Sequence, residues 1–369
     1  AHFTSIINVH GKFAAGAFTP AILNISLILS LFILTPLFSS AGYALSYGVL
    51  IGGLFQFVFM YKFLLKFYSP RIRIPQLNEK LKRFFHLFFP GVIGSGVIQL
   101  NIIIGTIIAS FLPVGAISHI YYADRLNQFP LAIFGIAMGV VLLPSLSKAI
   151  KNNNIKEIDD TQNRSLEFSL LISLPSAAGL FILSLPIIHI LFERGAFSSE
   201  DTIYTSQVLS IFSLGLPAYI LIKVLITCFF ARQDTKTPLY ISLITVLLNV
   251  AISLMLIGAM REMGIALATA ISAWVNALLL FFILKFKKNL IIDNIFKKNT
   301  FKIIIALLVM IFSCYILNKI IFSYFTFNLP IKVSGLLLVI TFSKIIYLTM
   351  IFMLKVLSIN DLKGYIKKI

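Results

Sequence analysis

Ten long apolar runs decide the class of this chain before any motif is read. They lie at residues 18–38, 43–66, 86–112, 125–147, 166–192, 203–230, 238–258, 264–286, 301–322 and 332–355, with polar gaps between them. Each is long enough to cross a hydrocarbon layer of ~30 Å as a helix, which takes about 20 residues. In lipid every backbone polar group must be bonded within the spanning structure, so only helices or a closed barrel qualify. Barrel strands read as ~10-residue alternating segments, and these runs do not alternate. The composition agrees: 59% of residues are hydrophobic and 12% charged, against ~45–50% and ~25% in soluble domains. The expected fold class is therefore all-α and integral to the membrane, with ten transmembrane helices. A soluble domain on a single anchor is excluded.

The net charge of +18 reads as topology rather than as a nucleic-acid footprint, because the basic residues collect in gaps between apolar runs. Twenty-four of the 31 Lys and Arg residues fall in one alternating set of gaps. The other set holds Arg194, Arg261, Lys319 and Lys332, while Arg125, Lys223 and Lys344 sit in or at the mouths of spans. Cytoplasmic loops carry the excess of positive charge, which places both ends of the chain in the cytoplasm. Cys228 and Cys314 both lie in apolar runs, so buried, unreactive thiols are expected rather than a disulfide framework. The opening Ala1-His2-Phe3-Thr4 has neither an initiator Met nor a targeting pattern, and is read as a fragment boundary.

Two pairs of spans resemble each other. Thr19-Pro20 opens one span and Gly42-Tyr43-Ala44-Leu45 the next; Thr237-Pro238 and Gly264-Ile265-Ala266-Leu267 do the same further on, at offsets of 218 and 222. Both first spans run outward from the cytoplasm, so the copies would be related by an axis along the membrane normal. If residues 86–286 make a six-span unit, the first copy keeps only its last two spans, and about four would precede Ala1.

An ionisable group inside a span is costly, and so is a functional candidate by default. The densest polar segment is Tyr121-Tyr122-Ala123-Asp124-Arg125-Leu126-Asn127-Gln128-Phe129-Pro130. With the apolar run starting at 125, Asp124 and Arg125 are expected at the outer start of a helix and Gln128 one turn further in. Two readings stay open. Asp124 is an interfacial cap favoured by the helix dipole, or Arg125 points into a cavity, where its planar fork of donors suits phosphate oxygens. Lys223 either snorkels to the interface or faces a cavity, with Gly215 and Pro217 able to open its helix. Lys344 either meets a neighbouring helix or a lipid head group. Gln99, Asn101, Asn249 and Asn276 read first as interhelical hydrogen-bonding groups and second as substrate contacts. His189 reads as packed and satisfied rather than as a proton relay.

Two loops read as structural turns. In Phe192-Glu193-Arg194-Gly195-Ala196-Phe197-Ser198-Ser199-Glu200-Asp201, Gly195 reverses the chain and Ser198 with Asp201 makes a capping-box start. In Ala231-Arg232-Gln233-Asp234-Thr235-Lys236-Thr237-Pro238, Pro238 suits a first helical turn. The sequence has no HExxH, Walker loop, GxSxG or metal-spaced Cys/His cluster. Transport is favoured over catalysis, with no cofactor and no metal site expected.

Together, the segment from Tyr122-Ala123-Asp124-Arg125-Leu126 to Leu143-Pro144-Ser145-Leu146-Ser147 and these two turns resemble the MurJ (MviN) family, in the family's order and spacing over the whole chain. Its members are lipid II flippases of bacterial peptidoglycan synthesis within the multidrug/oligosaccharidyl-lipid/polysaccharide exporter superfamily. The resemblance implies a fourteen-helix, two-lobe fold, of which ten helices are here. Residues 1–66 would end the first lobe, 67–85 form a cytoplasmic linker and 86–286 make the second six-helix lobe. Residues 287–300 would be a basic cytoplasmic loop, and 301–369 an extra helix pair with its tail. It also implies an inner-membrane location, lipid II as substrate, and membrane lipids and cell wall synthesis proteins as partners, with no nucleic acid. The family's cavity arginine maps onto Arg125; Asp124, Gln128, Lys223 and Asn101 complete the candidate substrate site. Gln128 stands where some relatives carry an acid, so no coupling ion is inferred. The last two spans would help form a groove for the polyprenyl tail.

Two alternatives remain. A sibling exporter working by cation antiport needs an acidic residue deep in a span, which the apolar runs do not show. An integral-membrane glycosyltransferase needs paired acids on a long loop, and no loop here is long enough.

Overall fold

The computed structural model describes residues 2–9, 13–68, 99–137, 142–323 and 329–356, with positions 79, 85 and 96 isolated between them. All of its regular elements among these residues are helical. Eight helices are long and apolar enough to cross a membrane. Large apolar side chains such as Phe32, Phe111, Met255 and Phe286 stay exposed, as helices solvated by lipid require and a water-soluble monomer does not tolerate. The protein is a multi-pass membrane protein.

The chain divides into two compact units, Ala1–Lys82 and Arg83–Ile369. In the first, α1 (His2–Val9) precedes the long helices α2 (Phe13–Leu34) and α3 (Ala41–Leu65), joined through a 3-10 turn at Thr35–Leu37. Gly48 and Gly52 of α3 let the two backbones approach: a Cβ on Gly52 would fall 2.8 Å from Leu23 Cδ1, and one on Gly48 would collide with Ser30. Small residues at such seams are the usual means of helix association in lipid, where apolar burial offers little drive. Gln56 closes the hairpin by donating to the Thr19 carbonyl at 2.9 Å.

The second unit begins in the described residues with α4 (Gln99–Ala109) and continues with α5 (Ala116–Ala137), α6 (Leu143–Lys151), α7 (Ile155–Ile182), α8 (Ser184–Phe192) and α9 (Ser199–Phe230). Then follow α10 (Lys236–Met260), α11 (Glu262–Phe286), α12 (Asn294–Ser323) and α13 (Leu329–Met353). The central helix is α9, which packs against α5, α7, α8 and α11. Its Ser206, Ser210 and Ser213 hydroxyls donate to carbonyls three residues back, which hides polar groups from an apolar surround. α10 and α11 form one hairpin; α12 and α13 form another, set against α7 and α8.

Three expected spans differ from what the sequence suggests. In run 86–112, residues 86–95, 97 and 98 lie outside the described set, and the remainder holds the shorter helix α4. Run 125–147 is replaced by α5, which starts nine residues earlier, and by the short α6; residues 138–141 lie outside the described set. Run 166–192 is two helices, because Pro186 has no N–H to offer the Ile182 carbonyl and the chain breaks at Leu183. Both expected turns are present. Ser198 and Asp201 complete a capping box on α9, and Pro238 lies in the first turn of α10. Gly195 reverses the chain at φ 62°. The two cysteines are free and buried.

Candidate functional site

Helix α5 has two faces. Ala116, His119, Ala123 and Asn127 recur at three- and four-residue spacing and are buried, Ala123 beside Val208, Leu209 and Phe212 of α9. On the other side Tyr121, Arg125, Gln128 and Phe129 are exposed. The Arg125 guanidinium lies over the Tyr121 ring, 4.6 Å from its centroid, a one-turn contact that holds the cation by its face and leaves its edge donors open. No ion pair engages Arg125 among the described residues.

Asp124 is half-buried and accepts a hydrogen bond from the Gln128 amide. It is the ninth residue of α5, so it does not cap the helix: the dipole's effect is spent within the first turn. The reading of Asp124 as an interfacial cap is thereby corrected: the acid lies within the helix rather than at its start. Glu167 adds a second case, thirteen residues into α7. Both placements share a cause. Polar residues that interrupt an apolar run here find partners on the same or a neighbouring helix and leave the helix unbroken.

The other candidates are less closely grouped. Lys223 is exposed on α9, with no side-chain partner among the described residues. Its helix is continuous through Pro217, and Gly215 does not open it, because the Tyr219 side chain covers Gly215. Asn101, on α4, is half-buried with its Oδ1 unpartnered among the described residues. Gln99 is exposed. Asn249 donates to Thr269 at 3.2 Å and Ser272 at 3.1 Å, and Asn276 donates to Thr245 at 3.0 Å. The interhelical reading of these two holds, as the α10–α11 seam.

The α12–α13 pair is tied to α7 and α8 at both ends. At one end Asn299 of α12 donates to Glu167 at 2.6 Å, and Arg164 bridges Glu167 to Asp293, the latter at 2.6 Å. At the other, His189 of α8 links Lys332 of α13 at 3.0 Å to Glu193 at 2.7 Å. With one ring nitrogen accepting from an ammonium and the other donating to a carboxylate, His189 is satisfied, as its sequence context suggested. The Glu193 carboxyl is held below its ordinary value by the Thr202 hydroxyl, with partial burial opposing and His189 assisting.

Between these ties lies an apolar groove of about 530 Å³. Its walls come from α7 (Leu171, Pro175, Leu180), α12 (Met310, Cys314) and α13 (Ile340, Tyr347, Leu348), with Phe129 and Pro130 of α5 at one side. Lys344 is exposed and lines the same groove. Phe129 follows Arg125 by four residues, so the open cation and the groove wall are neighbours on one helix face.

Sequence reasoning passed over His119. Its ring is buried between Asp201 of α9, Nε2 to Oδ1 2.9 Å, and Glu262 of α11, Nδ1 to Oε1 3.2 Å. Tyr204 stacks on it at 5.6 Å and carries Arg261 at 5.1 Å. The cluster pins the starts of three helices together. Its partners lie 82 and 143 residues away in the chain, so no local signal exposes it.

The sequence matches the family described as "Lipid II flippase MurJ" over residues 1–354. It is 42% identical over 288 residues to a Rhizobium meliloti (strain 1021) protein named "Probable lipid II flippase MurJ", covering 76% of this chain and 53% of that one. A solved structure titled "Lipid II flippase MurJ, inward closed conformation" is similar at TM-score 0.73 and 30% identity, covering 95% of this chain and 71% of that one. An inward-facing multidrug resistance MATE family transporter of the MOP superfamily is similar in fold alone. Its TM-score is 0.65 at 11% identity, over 77% of this chain and 66% of that one. The chain spans little more than half the length of the first curated relatives it matches.

Proposed function

The chain belongs to the MurJ lipid II flippase family, and from that premise we propose that it is part of a transporter moving lipid II across the bacterial inner membrane by alternating access, for cell wall synthesis. The observation that supports this most is the arrangement on α5: Arg125, open and unpaired, is one turn from Phe129, which walls an apolar groove. A cation beside a greasy channel fits a ligand with a phosphate at one end and a hydrocarbon chain at the other. A diphosphate does not enter hydrocarbon unpaired, and a guanidinium in a sheltered site offsets that cost through charge-assisted bonds.

In this reading Arg125 binds the diphosphate, and Asp124 and Gln128 hold one another so that neither competes for Arg125. Lys223 and Asn101 contribute further polar contacts to the path, the polyprenyl chain lies along the groove, and both chain ends are cytoplasmic. The full-length protein carrying Arg125→Ala should be made at normal levels yet fail to rescue a strain depleted of its own lipid II flippase. Growth at the wild-type rate would refute the assignment.

A further inference from the structure

The groove is not purely apolar. Lys344 is exposed on α13 and lines a space whose other walls are mostly Leu, Ile, Pro, Met and Phe, with no carboxylate among its lining residues and no ion pair to Lys344 among the described residues. Beside it the buried Ser343 hydroxyl meets the Cys314 thiol, and the Tyr347 hydroxyl is committed to the Leu171 carbonyl at 2.9 Å. An ammonium in such a place is costly unless an anion meets it.

Depth selects among anions. Lys344 lies 15 residues from the start of α13 and nine from its end, or about 22 Å and about 14 Å at 1.5 Å per residue. Both distances put its Cα well inside a helix that crosses ~30 Å of hydrocarbon. The phosphate of a resident bilayer lipid rests at the interface. A phosphate found at mid-depth belongs to a lipid in the course of crossing.

We propose that Lys344 forms a second phosphate-binding station in the groove, occupied by the diphosphate of an isoprenoid lipid whose chain lies against α7 and α12. This rests on the functional reading above and adds to it a site on the α12–α13 pair, separate from Arg125. The Lys344 ammonium acts as a point charge without the fixed fork of Arg, which suits a station that must release its ligand.

The test compares binding of undecaprenyl diphosphate, undecaprenol and phosphatidylglycerol to the purified full-length protein by native mass spectrometry, for wild type, Lys344→Met, Lys344→Arg and Arg125→Ala. The expected result is about tenfold weaker undecaprenyl diphosphate binding in Lys344→Met and near-normal binding in Lys344→Arg, with undecaprenol and phosphatidylglycerol unchanged. Binding of the diphosphate within twofold of wild type in Lys344→Met overturns the proposal. An equal loss of phosphatidylglycerol also overturns it, by making the groove a site for resident lipid. Loss in Arg125→Ala alone leaves the functional reading standing and removes Lys344 from it; no diphosphate binding by wild type removes both.

Discussion

The cations of the second unit divide into two kinds. Some are spent on carboxylates, histidine or carbonyls: Arg164 on Glu167 and Asp293, Lys287 on Asp234, Lys332 on His189, Arg232 on the Asn289 carbonyl. Others, among them Arg125, Lys223 and Lys344 within their helices, have no carboxylate partner among the described residues. A folded protein that buries a charge ordinarily pairs it. These three are exposed on the protein rather than buried in it; an unpaired cation along an apolar helix is costly in lipid and suits an anionic partner that comes and goes, whereas the paired cations hold the frame. This contrast separates architecture from function more cleanly than residue type does, since both sets are Lys and Arg.

The contrast can be broken by exchange of roles. The largest effect is expected at Arg125: Arg125→Ala should remove transport while leaving thermal stability near wild type, and Arg125→Lys should retain only part of the activity because the bidentate geometry is lost. The frame should behave in the opposite way. Glu167→Ala leaves the buried Asn299 amide without its acceptor and removes one carboxylate from Arg164, and His119→Ala leaves the buried Glu262 Oε1 without its hydrogen-bond partner. Stranding a buried polar group costs about 1–3 kcal/mol, and more if it is charged. A lower melting temperature in detergent, with transport per folded molecule largely kept, is the predicted outcome for both. At the α10–α11 seam, Asn249→Ala should cost only about 0.6 kcal/mol, the average for polar contacts between membrane helices, measured by thermal or denaturant unfolding.

The smallest effect is one of pH. The Glu193 carboxyl has its folded value below its ordinary 4.5, through the Thr202 hydroxyl first and then, against the opposing burial, His189. Its stabilisation is therefore complete above that ordinary value and is lost as pH falls through the lowered one. A small loss of stability below the usual Glu range, absent in Glu193→Gln, is expected.

Much of this organisation was legible locally. The capping box at Ser198 and Asp201, the reversal at Gly195 and the Pro238 start depend on residues within a few positions of each other, and sequence carries them directly. The start of α5 was not legible, because His119, Tyr121, Tyr122 and Asp124 break the apolar run that marks a span. They are tolerated because His119 meets Asp201 and Glu262, and Asp124 meets Gln128. The same holds for α7, whose first turns carry Glu157, Asp159 and Asp160 ahead of the apolar stretch. Arg125 could be picked out as a candidate from its neighbours, but not its stacking on Tyr121 or its place beside the groove. Those follow from packing between helices far apart in the chain.

The most direct test of the division between spent and open cations is lipid II translocation by full-length protein in proteoliposomes, normalised to folded protein, for Arg125→Ala beside Glu167→Ala. Near-zero translocation with an unchanged melting temperature for the first, and a lowered melting temperature with most per-molecule translocation kept for the second, is the predicted result. Translocation by Arg125→Ala at the wild-type rate, or its loss only in step with stability, would contradict the account.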